Sequence, residues 1–138
     1  MDDSIMDGIL RLYQKEYNIM SELYRMTTEL EQVMGTGDRL SIQLVLDMRE
    51  EAIGRLADNR RNISILEDAL AMQARHYLRR LLKADQEAAP RDESERKLCL
   101  ISGDIRDIKE RILMLDRKIS LKTAGNDSYY KKREEDTQ

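Results

Sequence analysis

Seven apolar residues, Leu98, Ile101, Ile105, Ile108, Ile112, Leu115 and Ile119, recur without a gap at alternating spacings of three and four. An α-helix gathers such positions onto one narrow stripe, whereas a strand would scatter them over both faces. Charged residues such as Asp104, Lys109, Arg111, Asp116 and Lys118 flank the stripe, as they do in the e and g positions of a coiled coil. Gly103 falls on the opposite side, where it costs roughly 1 kcal/mol of helix propensity and no packing. The stripe predicts a long helix that must lie against another.

The same rhythm governs the N-terminal third. Ile5, Ile9, Leu12, Ile19, Leu23, Met26, Leu30 and Val33 follow it, and only Glu16 interrupts. A second stripe, Met6, Tyr13, Met20 and Met34, runs alongside, with Thr27 as its polar member. A helix this wide on its apolar side must cover more than one neighbour. Ser4 followed by Asp7 reads as a variant capping box that opens the helix. Gly35-Thr36-Gly37-Asp38 closes it, with Gly35 suited to the left-handed position after the last turn and Asp38 to capping the next helix.

From Arg39 to Ala88 nothing breaks helical propensity, so one long helix is expected. Its seam is less regular, passing through Ile42, Leu46, Ile53, Leu56, Ile63, Leu66, Leu70, Ala74, Tyr77 and Leu81. The run Asp58-Asn59-Arg60-Arg61-Asn62 in its middle reads as a kink or a polar layer. Pro90 ends the helix by forcing extended backbone before it, and Asp92 with Glu95 caps the next. After Thr123 the periodicity stops, and residues 124–138 read as a flexible polar tail.

These boundaries give an all-α chain: one helical domain over 1–123, with helices about 4–34, 39–88 and 92–123. At ~1.5 Å per residue the outer helices are about 45 Å long and the middle one about 70 Å. Short connections make each outer helix antiparallel to the middle one. The expected architecture is therefore an elongated antiparallel three-helix coiled-coil bundle with a long central helix. Composition agrees. The 138 residues contain no Phe or Trp, while 41% are apolar and 37% charged, the balance of long helices with narrow seams and not of a thick core.

Charge and composition also exclude function classes. Twenty-four basic against 27 acidic groups give −3, which lacks the basic excess of a nucleic-acid binder. No apolar run approaches the roughly 18 residues of a membrane span. The start, MDDSIMDG, has no basic n-region, and Cys99 has no second cysteine to bridge. Cytoplasmic residence is the expectation. Catalysis finds no foothold: His76 is the only histidine, and no zinc, P-loop or nucleophile-elbow motif occurs. Small chorismate mutases are helical and Arg-lined, but Arg60-Arg61 and Arg79-Arg80 are adjacent pairs that point to different faces. No cofactor or metal is expected.

What remains is protein binding. Met side chains adapt to varied partners, so Met6, Tyr13, Met20 and Met34 have two readings, as the bundle's own core or as a groove for a partner helix. Tyr129 and Tyr130 beside Lys131-Lys132-Arg133 are candidate docking residues in the tail. The stretch YQKEYNIMSELYRMTTELEQVM, the Gly37-Asp38 turn and RLSIQLVLDMREEAIGRL, with Leu44 or Leu46, Arg49, Ile53 and Leu56 spaced along the second helix, resemble flagellar export chaperones of the FlgN and FliT type. The resemblance covers about residues 5–66. It implies a cytoplasmic chaperone that binds a C-terminal helical segment of a hook-associated or filament-cap protein, keeps it from associating early and passes it to export. The alternative is a self-associating coiled coil, a homodimer serving as scaffold or adaptor.

Overall fold

The structure, a computed structural model, describes the backbone of residues 3–136 and the side chains of residues 4–123. The described residues form α1 (Asp3–Met34), α2 (Arg39–Asp68), α3 (Met72–Leu82) and α4 (Glu93–Asp136), with no strand among them. The chain is all-helical. The stripes of α1 and α4 are buried or half-buried along their length. Asp38 caps α2 through Oδ1, which accepts from the backbone N–H of Leu40 and Ser41 at 3.1 and 3.3 Å. Asp92 caps α4 by accepting from the Glu95 N–H at 2.8 Å.

Four boundaries depart from the sequence pattern. The helix expected over 39–88 is two helices, broken at Ala69–Ala71 and finished at Leu82. Tertiary burial makes that break: Leu70 turns into an apolar cluster with Met6, Ile9, Leu78 and Leu98. Helix α4 continues to Asp136 through residues expected to be a loose tail. The missing periodicity there speaks to packing, not helicity, and the segment contains no proline. Gly37, not Gly35, takes the left-handed backbone, with φ of +70°, so the turn spends two more residues before reversing. Ser4 already has helical backbone, inside α1 and not in the flanking position before it.

Helix α1, and not the middle segment, is the central element: it packs against both α2 and α4, while α3 packs on α4. Its double stripe accounts for this, since one apolar edge serves each neighbour. In place of the expected 70 Å middle helix, three long helices lie side by side with α1 packed on both others. Contacts Gly8–Leu66, Glu16–Arg60 and Glu22–Arg55 run antiparallel between α1 and α2. Ile9 with Leu98, Ile19 with Ile112 and Glu31 with Lys122 run parallel between α1 and α4. The end carrying the starts of α1 and α4 is called the lower end. Gly8 permits close approach there, since a Cβ on it would lie 3.0 Å from Leu66 Cδ1.

Candidate functional site

The polar residues that interrupt the seams meet one another. Glu16 is buried on α1 and accepts from Arg60 Nε at 3.0 Å. One turn away the buried Asn59 amide donates to the Leu12 carbonyl at 2.8 Å. Asn59 and Arg60 of the run at 58–62 thus form a polar layer with α1 within the continuous α2, set between the lower cluster around Leu98 and an upper one around Leu23 and Ile112. Higher up, Arg49 joins three helices. Its Nε donates to Thr27 Oγ1 at 3.2 Å, and its terminal nitrogen reaches both Asp116 oxygens at 2.7 and 2.8 Å. Slipping α2 by a turn would strand Glu16 and Arg49 away from their partners, so these layers set the register.

The inner line of α2 is accordingly Ile42, Val45, Arg49, Ala52, Leu56, Asn59 and Ile63; of the expected seam, Leu46 and Ile53 fall off it. Leu46 and Ile53 lie on the outside of α2, and a second outward row holds Leu40, Leu44 and Met48 at successive turns. Leu40 is 82% exposed and Leu44 61%. On the neighbouring helix Leu113, Met114 and Leu121 are exposed as well. Apolar surface without a partner therefore gathers on the outer faces of α2 and α4. A sequence reading that takes every regularly spaced leucine as core passes over it.

The elbow between α2 and α3 leaves a cleft of about 580 Å³, floored by Ile5, Leu70 and Ala74 and edged by Gln73, Tyr77 and Arg91. The Arg91 guanidinium lies 4.1 Å from the Tyr77 ring centre. The Tyr77 hydroxyl faces both the buried Glu95 carboxylate and the Ala89 carbonyl. Burial, and then the Glu95 bond and charge, hold that phenol above its ordinary value. These contacts pin the connector 83–92 to α3 and α4.

Met6 and Met20 are buried among the chain's own helices, while Tyr13 and Met34 are half-buried. The side chains of Tyr129 and Tyr130 lie outside the described residues. His76 is exposed on α3. The Cys99 thiol is buried against the Leu81 carbonyl at 3.5 Å, and burial pushes its pKa up, which disfavours the reactive thiolate. Among the described residues no group of three His, Cys, Asp or Glu side chains could hold a metal ion.

Tyr13 gives a pH signature. Burial first, then the charges of Glu67 and Glu16, raise its phenol above the ordinary value near 10. The unfolded chain therefore ionises before the folded one. The contribution is complete below pH ~10 and is lost as pH rises beyond it. Tyr13→Phe is expected to flatten the fall in melting temperature between about pH 9 and 11. Equal slopes for the two proteins would show that Tyr13 does not carry it.

Comparison with protein-family models, curated proteins and solved structures returned no match.

Proposed function

We propose that this protein holds an amphipathic helix of another protein. The observation that carries the reading is the outward row Leu40, Leu44 and Met48, with Leu46 and Ile53 on the other flank of the same helix. Three apolar side chains at successive turns cover about 12 Å of helix, an exposed strip on which the apolar face of an amphipathic helix can lie. Charged neighbours Asp47, Glu51 and Arg55 would rim such a contact, as polar residues rim protein interfaces. The arrangement needs no cofactor. No helix among the described residues is long and apolar enough to cross a membrane.

The resemblance over residues 5–66 gives this holder a specific form, a cytoplasmic export chaperone for the C-terminal helix of a flagellar hook-associated or filament-cap protein. Binding would cover the client's sticky face, and release would cost only that burial. The same row favours a second reading: two copies pairing through α2 would give the self-associating scaffold.

One titration separates these readings. A fluorescent peptide carrying such a C-terminal helix is titrated with the protein and followed by anisotropy, and solution mass is measured alongside. Saturable one-to-one binding to a monomer is expected. Leu44→Glu should weaken it by roughly tenfold or more, with helicity and melting temperature unchanged because Leu44 is on the surface. A peptide that fails to bind, while Leu44→Glu dissolves a dimer, favours the scaffold.

A further inference from the structure

We propose that the α2–α3 elbow is a hinge, and that α3 exchanges between two copies of this chain to form a two-fold dimer joined at their lower ends.

The bend has no local cause. Ala69, Leu70, Ala71, Met72 and Gln73 are among the better helix formers, and Ala71, at the cap of α3, makes no side-chain capping bond. Left to itself this segment would continue α2. What bends it are contacts to other elements: Leu70 and Leu78 in the lower cluster, the Leu81 carbonyl on Cys99, and the Leu82 carbonyl on Arg106 at 3.0 Å. Arg75 instead ties off carbonyls on the α2 side of the bend. Its terminal nitrogen donates to the Asp68 and Leu70 carbonyls at 3.2 and 3.3 Å, while its buried Nε has no hydrogen-bond partner. The cleft inside the bend adds underpacked surface that straightening would remove.

The contacts of α3 with α4 are transferable to a second copy. Tyr77 with Glu95, Leu81 with Cys99 and Leu82 with Arg106 advance together along α3 and α4. Helix α3 thus runs with α4 and against α2. In a pair of molecules related by a two-fold axis across their lower ends, a straightened α2–α3 helix leaves one copy and enters the other. It arrives running in the direction that the vacated α3 seat requires. Straightening carries Leu82 about 18 Å beyond Leu70. The ten-residue connector 83–92 reaches about 33 Å, so α4 can stay in place. An exchange of identical elements preserves the contacts of α3 with α4 and changes those at the elbow and in the connector, which makes it an inexpensive route to a dimer.

The test is Met72→Pro. Met72 opens α3 and is 69% exposed, and Ala71 before it has φ −60° and ψ 151°. Proline suits the first helical position, and the residue before a proline prefers that extended backbone. In a continuous helix the same proline deletes a backbone bond and clashes with the preceding turn. The variant therefore keeps the bent monomer and blocks the straight helix. Proteins are refolded at high concentration, diluted, and weighed by chromatography with light scattering.

Wild type is expected to give a dimer that persists on dilution, because exchange back requires opening the lower cluster. Met72→Pro should cut the dimer fraction by roughly tenfold or more with helicity unchanged, and Leu44→Glu should leave it as it was. Arg75→Gln, which removes the bonds that hold the Asp68 and Leu70 carbonyls in the bend, should raise it. A wild type that stays monomeric throughout, a Met72→Pro protein that dimerises as fully as wild type, or an Arg75→Gln protein that dimerises no more than wild type would overturn the proposal.

Discussion

Leu98→Ala is expected to destabilise the fold by about 3 kcal/mol, within the ~2–5 kcal/mol range of buried leucine truncations. Leu98 is fully buried and belongs to the cluster in which α1, the elbow, α3 and α4 meet. Its loss removes contacts from four elements together. The surrounding Met6, Ile9, Leu70 and Leu78 are held by two different helices and the bend, so the hole cannot close by moving one of them. Thermal and urea unfolding followed by circular dichroism would read the change. For a chain of this size it corresponds to a fall of roughly 10 °C in melting temperature. Leu100→Ala is the control: that residue is 69% exposed, and its truncation should shift stability by less than about 0.5 kcal/mol. Equal effects at the two positions would mean that the stripe of α4 does not face α1.

That contrast shows how far the sequence could be read. The stripes of α1 and α4 are legible because burial and spacing coincide at nearly every position. The caps at Asp38 and Asp92 are legible because a short acidic side chain before a periodic run has one favourable use. The doubled stripe of α1 signals two neighbours, and the structure places α2 and α4 on them. Helix α2 hides its register. Arg49 and Asn59 occupy its inner line, and Leu46 and Ile53 sit just off it, so counting hydrophobic residues selects the wrong edge. The elbow is illegible for a different reason. Ala69 to Gln73 favour a helix, and only the distant lower cluster turns them. For the candidate residues, the same doubled stripe sent Met6 and Met20 inward, while the outward row at Leu40, Leu44 and Met48 lies off the expected seam and stands out only once the register of α2 is known.

The polar layer predicts opposite outcomes for its two partners. Arg60→Ala leaves the Glu16 carboxylate buried without its guanidinium, and a destabilisation of about 1–3 kcal/mol is expected. The figure stays below that of a fully buried pair because the Arg60 side chain is 50% exposed and water can enter where it stood. Glu16→Met removes the buried charge and completes the apolar stripe of α1, with Arg60 free to turn into solvent. It should be neutral or stabilising. Equilibrium unfolding of the two variants and of the double variant measures the coupling. If Arg60→Ala costs no more than Glu16→Met, the pair does not anchor α2 against α1. A Glu16→Met protein that gains stability yet populates more than one solution mass would show what the charge contributes: it holds α2 in one register at the expense of a stronger core.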